Sequence, residues 1–570
     1  MEPVRERRWR LREADENAVL SLAREGELPA LLARLLVNRG IPDAAGADRF
    51  LNATLSACHD PFLLSGMTAA VARLIVARQE QEMVCVYGDY DVDGITATAL
   101  LIEFFHSVGI NCFYHIPNRM EHGYGLGEAG IRAVAAAGAR VIVSVDCGVT
   151  AVAEAELCRS LGMELIITDH HTPGEQLPDA CAVINPLLPD SPFPFRLLAG
   201  VGVAFNLLIA LRTRLRESGA FAAVEPPNLR EYLDLVALGT IADIVPLTDE
   251  NRLFVRFGLK ELSTTRRLGI IALKTVAGIT GEVSCHDVGF KLGPRLNACG
   301  RLEDATRGVE LLLCRNREEA ALIAGELDAS NTERRQIEQE ILRDALAMLE
   351  GQQKELTGIV LASREWHPGV IGIVASRIVE QYHRPTLLIA LMDGEGRGSG
   401  RSIPAFHLYQ ALTVCSARLR KFGGHKYAAG LSLAEEDLDA FAAEFDAHAA
   451  SLLSGDDLLP EILMDAELSP DEVTSALPAL IARLEPYGAG NSSPLFLLRR
   501  VPVLDRRILK EKHLKLRLSL PCGGVDAIAF NRADFLCGTT VDLVFSPEIN
   551  VWNGRESLQL KIKDLKNSEQ

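Results

Sequence analysis

Five short runs rich in β-branched and apolar residues, MVCVY, CFYHI, VIVSV, ELIIT and CAVI, recur between residues 83 and 185 with helix-length segments between them. That alternation is the pattern of βαβ units, which close into a parallel sheet covered by helices on both faces. Such a sheet places its chemistry beyond the carboxyl ends of its strands. Ionisable residues gather at those ends. The first run leads into GDYDVDG, putting Asp89, Asp91 and Asp93 in one strand-to-helix turn; the third ends in Asp146-Cys147-Gly148 and the fourth in Asp169-His170-His171.

Helix capping accounts for one aspartate of GDYDVDG but not for three. Adjacent histidines taken alone read as a solvated or capping pair; at a strand end beside two acidic strand ends they read as ligands. Asp243 lies within ALGTIADIVPL, where an unpaired carboxylate is costly to bury and a metal or another cation is expected to compensate it. Four or five carboxylates with two imidazoles and no thiolate suit Mn²⁺ or Mg²⁺ better than structural zinc. Two ions, bridged by a carboxylate roughly 3.5 to 4 Å apart, would activate water for attack on a phosphoester without a protein nucleophile. The competing signatures G-x-S-x-G, Walker A and H-E-x-x-H are absent from the chain.

The rest of the sequence predicts a multidomain α/β protein. From Glu318 to Gly351 a proline-free run rich in Glu, Arg, Ala, Leu and Ile reads as a long connecting helix. Residues 358 to 450 begin a second α/β unit, with strand GIVLAS, turn REWHPGV, helix IGIVASRIVEQYH and strand TLLIAL. Beyond SGDDLLPE the pattern turns to short alternating strands such as KLRLSL and SLQLKIK, with Asn553-Gly554 as a hairpin turn, and a small β-barrel is expected. The expected divisions are a helical segment at 1–79 packing on the catalytic domain, the parallel-sheet catalytic domain at 80–316, the connecting helix at 317–352, the second α/β domain at 353–455 and the barrel at 456–570. No role beyond packing is assigned to the first segment.

Composition narrows the partners. A net charge of -17 argues against indiscriminate polyanion binding but leaves room for a local basic channel. One exists between Arg499 and Arg517, with eight lysines or arginines against two acids and a local charge of +6. A barrel carrying it, with Phe496, Phe530 and Trp552 for stacking, fits an OB-fold that grips single strands. The 12 cysteines stand singly, without zinc-finger or disulfide spacing. The basic start lacks an apolar stretch behind it, and the apolar run Leu197 to Leu211 is too short to span a bilayer and carries Asn206. A buried helix and a cytoplasmic protein are expected, with no membrane contact.

Asp169-His170-His171 with the upstream DxDxDG matches the DHH phosphoesterase superfamily. IPNRMEHGYGL, GPRLNACGRL, WHPGVIGIVASRI, GSGRSI, FGGHKYAAG, EPYGAGN and WNGRESLQLKIKD resemble segments of the RecJ exonuclease family in that family's order, across about residues 80 to 565. Cys299, where alanine is expected, is a small departure. The resemblance implies Asp91, Asp93, Asp146, His170, His171 and Asp243 as metal ligands, Asp146 bridging, Asp89 supporting and Asp169 orienting. It assigns Gly423-Gly424-His425 to a DHH-associated domain that closes a nucleic-acid cleft, His425 near the scissile phosphate. Arg119, Ser399 and Arg401 would form a pocket for a terminal 5′-phosphate, Arg301 would touch backbone phosphate, and Arg506, Arg507, Lys510, Lys512, Lys515 and Trp552 would bind the strand on the barrel.

The implied activity is removal of 5′-mononucleotides from the 5′ end of single-stranded DNA in repair and recombination, by a monomer working with single-strand-binding protein and a helicase. Two alternatives stand beside it. A DHH phosphodiesterase for short oligonucleotides or cyclic dinucleotides would share the metal ligands but has no need of a basic barrel. A catalytically dead scaffold would have lost ligands, and every expected ligand is present.

Overall fold

The computed structural model describes all residues except 2–3, 5, 118–124, 303–304, 353, 553 and 569–570, together with the side chains of the rest apart from 299, 301–302 and 552. The chain forms two compact units: a larger one of Leu11–Gly300, Ala305–Gly325 and Leu463–Gln570, and a smaller one of Met1–Arg10, Arg301–Asp304 and Glu326–Ile462.

The larger unit opens with helices α1 (Glu16–Glu25), α2 (Ala30–Val37), α3 (Ala44–Asn52) and α4 (Met67–Gln79). Strands β1 (Val84–Tyr87), β2 (Cys112–His115), β3 (Val141–Val145), β4 (Glu164–Thr168) and β5 (Ala182–Ile184) then build a parallel sheet in the order β2-β1-β3-β4-β5. β1 and β3 are buried throughout, as expected for a sheet covered on both faces. The order reverses between β1 and β3, so the crevice beyond their carboxyl ends is the ligand position of a doubly wound sheet.

Helix α5 (Val92–Ser107) follows β1, and α6 (Gly200–Glu217) packs against it. α6 contains most of the apolar run read as a buried helix, from Gly200 onward. Its buried Asn206 donates from Nδ2 to Gly202 O at 3.0 Å. Helix α7 (Leu233–Ala242) is apolar on nearly every face, buried along most of its length, and delivers Asp243 at its carboxyl end.

Helix α8 (Arg317–Glu350) is the long proline-free run and continues into the smaller unit. There β6 (Ile359–Ser363), helix α9 (Ile371–Tyr382), β7 (Thr386–Met392), β8 (Glu395–Arg401), β9 (Lys421–Gly424) and β10 (Ala428–Ala434) form a sheet in the order β9-β10-β8-β7-β6. Only the β6–β7 pairing is parallel.

The larger unit ends in strands β11 (Phe496–Leu509), β12 (His513–Leu520), β13 (Gly523–Ala529), β14 (Thr540–Trp552) and β15 (Arg555–Asn567). Pairing of β11 with β14 closes these five strands into a barrel, and the β14–β15 hairpin turns at Gly554, φ +76°. Phe496 corrects the sequence expectation. It is 0% exposed and packs on Phe545 with ring centroids 5.9 Å apart, so it belongs to the core and offers no stacking face. Phe530, at 48% exposure, remains available. The side chain of Trp552 lies outside the described residues.

The first segment also differs from expectation. α4 packs on α6 and β5 of the parallel sheet. In contrast, Leu22, Leu32, Leu35 and Leu36 of α1 and α2 share one core with Phe496, Leu516 and Phe545 of the barrel. The apolar stripe of α2 finds its partner more than 400 residues away in the chain, which no local pattern encodes. No single helix among the described residues is long and apolar enough to cross a membrane.

Candidate metal centre

The turn after β1 folds around its glycine. Asp91 caps α5, accepting from Asp93 N at 2.9 Å and Gly94 N at 3.1 Å. A Cβ on Gly94 would stand 2.6 Å from Asp89 O, so only glycine lets the turn close this tightly. Asp93 is buried in the first turn of α5, where its carboxylate accepts from Gly200 N at 2.6 Å and Val201 N at 2.9 Å. Those amides open α6, and a helix amino terminus supplies both donors and a favourable dipole for an anion.

Asp146 follows β3 with φ +62°, a left-handed backbone that aspartate tolerates better than most residues. A Cβ on Gly200 would lie 2.5 Å from Asp146 Oδ1, so the glycine that begins α6 makes room for one carboxylate while its amide holds another. Asp169 follows β4 and accepts from Val149 N at 2.9 Å, His170 N at 2.7 Å, His171 N at 3.0 Å and His171 Nδ1 at 2.8 Å. This web fixes the ring of His171 through Nδ1.

The remaining side chains converge on His170. Its Nε2 is 3.1 Å from Asp146 Oδ1, 3.7 Å from Asp243 Oδ2 and 4.0 Å from Asp93 Oδ2. Three sets place donor atoms within 4.8 Å of one another: Asp146, His170 and His171; Asp93, His170 and Asp243; Asp89, Asp91 and Asp146. Asp146 and His170 each serve two sets. Nε2 of His170 is buried and makes no hydrogen bond although it faces carboxylates, as a nitrogen directed at a cation would be.

Electrostatics point the same way. Burial and the charge of Asp91 push Asp93 up to about 7, and burial with Asp93 and Asp91 pushes Asp243 up to about 9. Asp146 is raised well above the carboxylate range by burial and by Asp93, Asp91 and Asp243. Burial and neighbouring His171 lower His170 to about 4, keeping it neutral. Against the opposing effect of burial, the Asp169 hydrogen bond and charge raise His171 to about 9, and Asp169 lies below its usual range for the same reason. Acids crowded this closely in a buried crevice must either keep protons or be offset by a cation. Oxygen and imidazole donors without a thiolate suit Mn²⁺ or Mg²⁺.

The sequence reading assigns no role to four residues that shape the centre. The amides of Gly200 and Val201 hold Asp93, and paired glycines opening an apolar helix were the available signal. Asn297, on the helix Gly293–Leu302, accepts from Val92 N at 3.1 Å and ties the GPRLNACGRL segment to the aspartate turn. On the same helix, a Cβ on Gly300 would meet Tyr90 O at 2.7 Å.

The smaller unit carries its own cluster. Ser399 and Arg401 lie two residues apart on β8, and Arg401 Nη1 donates to Gly400 O at 2.8 Å. Gly372, in the first turn of α9, approaches so closely that a Cβ there would be 2.7 Å from Ser399 Oγ and 3.3 Å from Arg401 Nη2. Gly424, at φ +141°, makes the turn that exposes His425, whose amide donates to Ala428 O at 2.8 Å. Arg119 and the side chain of Arg301 lie outside the described residues.

On the barrel the basic patch is partly neutralised. Arg499 pairs with Glu467, Arg507 with Asp505, and both Lys515 and Arg517 with Asp526. Arg506, Lys510 and Lys512 have no ion pair among the described residues.

The chain matches the DHH family N-terminal domain over residues 83–240, the DHHA1 domain over 355–451 and the RecJ OB domain over 464–564. It is 42% identical to the single-stranded-DNA-specific exonuclease RecJ of Salmonella typhimurium over 98% of this chain and 99% of that protein. The structure is similar to RecJ of Thermus thermophilus in complex with Mn²⁺, with TM-score 0.85 and 33% identity over 100% of this chain and 81% of that one. It also resembles the Mg²⁺ complex of that protein, with TM-score 0.78 and 32% identity over 99% of this chain and 79% of that one. With such identity across nearly the whole of both sequences, the chain belongs to the RecJ family of single-stranded-DNA-specific exonucleases, within the DHH phosphoesterases.

Proposed function

We propose that this protein hydrolyses single-stranded DNA from the 5′ end, releasing 5′-mononucleotides, with Asp91, Asp93, Asp146, His170, His171 and Asp243 holding two Mn²⁺ or Mg²⁺ ions. The observation that carries this reading is the sharing of Asp146 and His170 between adjacent donor sets, the arrangement a bridged pair of ions needs. When bound, the ions activate water and offset charge developing on the phosphate. The protein's part is positional. Asp169 fixes the ring of His171, the amides of α6 fix Asp93, and the left-handed backbone at Asp146 turns its carboxylate between the two groups.

Strand polarity rests on the smaller unit. Ser399, Arg401 and the amino end of α9 converge where a terminal phosphate can be held by a guanidinium and backbone donors. By the family resemblance, His425 and Arg301 are expected to contact the strand. On the barrel, Arg506, Lys510 and Lys512 are free to follow the phosphates and Phe530 to stack on a base. A dinucleotide substrate would make no use of that surface. The same reading makes the enzyme a monomer of DNA repair and recombination, supplied with strands by a helicase or by single-strand-binding protein.

The test is a time course on 5′-phosphorylated, 3′-labelled single strands with Mn²⁺, beside the matching duplex. A ladder of shortening labelled fragments, with the duplex left intact, is expected. Immediate release of the labelled nucleotide contradicts the polarity, and cleavage of dinucleotides alone contradicts the substrate.

A further inference from the structure

Asp243 caps α7, and the residue after it, Ile244, has φ +63°. A β-branched residue in the left-handed region is strained, and such a conformation persists only where its surroundings impose it. The side chain of Ile244 does not impose it, being 74% exposed. The constraint lies further along the turn. Leu247 N donates to Ala489 O at 2.7 Å, and Asn251 Nδ2 donates to Pro246 O at 3.1 Å. Gly490, at φ +69°, lies so close that a Cβ there would be 2.8 Å from Pro246 Cβ, and one on Gly488 would be 2.6 Å from Leu247 Cδ1.

Ala489 sits in the loop 484–491 that leads into the barrel, and this loop is pinned by buried polar groups. Arg252 donates through Nη1 to Leu484 O at 2.8 Å and through Nη2 to Glu485 O at 2.7 Å, its guanidinium lying 3.8 Å over the Phe50 ring. Asn491 Nδ2 donates to Leu484 O at 2.8 Å and Pro486 O at 2.9 Å, while its Oδ1 accepts from Arg39 Nε at 2.8 Å. All these residues belong to the larger unit. A loop fixed this firmly can impose a strained shape on a turn that it touches.

We propose that the loop 484–491 of the barrel domain is a positioning element of the metal centre. Through Ala489 O and the close approach of Gly488 and Gly490, it holds the strained turn that aims Asp243 at His170. The barrel domain then contributes to ion binding as well as to strand binding. This inference rests on the reading of Asp243 as a metal ligand.

The experiment titrates Mn²⁺ into the metal-free full chain by calorimetry, with strand binding measured in parallel, for the wild type, Asp243→Asn, Gly490→Ala, Ile244→Gly and the Gly490→Ala/Ile244→Gly pair. Asp243→Asn should lose one of the Mn²⁺ steps. Gly490→Ala should weaken that same step about tenfold or more, the size of effect that positioning groups around metal ligands have, with strand affinity unchanged. Ile244→Gly should bind as wild type and restore most of the loss in the pair, because glycine adopts positive φ without a brace. A general folding defect would not be repaired in that way. Gly488→Ala replaces Gly490→Ala if the latter does not fold. Wild-type Mn²⁺ binding by Asp243→Asn overturns the ligand reading itself. Loss of the step in Asp243→Asn, with wild-type binding by the glycine variants, overturns the brace alone.

Discussion

His171 donates from Nδ1 to Asp169 Oδ1 at 2.8 Å, and the same oxygen accepts the backbone amides of both His170 and His171. On the proposed reading Asp169 orients His171. Asp169→Asn is expected to lower both Mn²⁺ affinity and kcat/KM by about 10- to 100-fold, the usual cost of losing a partner behind a metal-ligating histidine, while single-strand binding is retained. Calorimetry and a strand-degradation assay on the same preparation check this; wild-type Mn²⁺ affinity in the variant would contradict the assigned role.

Gly200 is required by two carboxylates at once, its amide bonding Asp93 and its missing side chain leaving space for Asp146. Gly200→Ala is expected to displace the Asp146 carboxylate and reduce kcat by roughly 100-fold or more, the scale of an ångström of misplacement in a catalytic group. Melting temperature and turnover are measured together, and a stability loss with unchanged kcat would show that Gly200 serves packing only.

The acids of the centre couple ion binding to pH. In the metal-free protein Asp93 is raised to about 7 and Asp243 and His171 to about 9, so the folded state holds more protons than the unfolded chain. Stability of the metal-free protein then falls as pH climbs through this range, because protons that relieve the crowding are lost. Ions must displace the same protons. The rise in melting temperature produced by Mn²⁺ should accordingly be larger at pH 8 than at pH 6; an equal rise at both would remove the link between the crowded acids and the ions.

Strand binding by the barrel should depend unequally on its basic residues. Lys510 and Lys512 lie in the β11–β12 turn without ion pairs among the described residues, whereas Lys515 lies 2.8 Å from Asp526. Replacing Lys510 and Lys512 together with alanine is expected to reduce the slope of log affinity against log salt by about 1.4, at roughly 0.7 per phosphate contact on single strands. Lys515→Ala should do less, and dinucleotide hydrolysis should be unaffected by either change. Equal effects of Lys510/Lys512 and Lys515 substitution would contradict the assignment.

How far the sequence could be read follows from how local each signal is. The aspartates after β1, the Asp146 turn and the Asp169-His170-His171 run were legible because a parallel sheet sends consecutive strand ends to one edge, so the motif and its position are read together. Capping was foreseen for one aspartate of three, and the structure gives that role to Asp91. Phe496 packs on Phe545 inside the barrel, and its place in the strand pattern does not reveal that face. Part of the basic patch is neutralised by Glu467 and Asp526, which lie outside the Arg499–Arg517 segment and leave no trace in its local charge. The sharing of a core between α1, α2 and the barrel, and the contact of Ala489 with Leu247, join segments hundreds of residues apart and leave no local trace.

The central claim is that Asp146 bridges two ions. Asp146→Asn is the clean variant, since asparagine tolerates the φ of +62° and loses only the charge. The decisive measurement is Mn²⁺ titration of the metal-free protein followed by electron paramagnetic resonance. The wild type should bind two ions with the signal of a spin-coupled pair, and Asp146→Asn should lose the coupling and the turnover while still binding single strands. A single uncoupled ion in the wild type, or a coupled pair that survives Asp146→Asn, would contradict it.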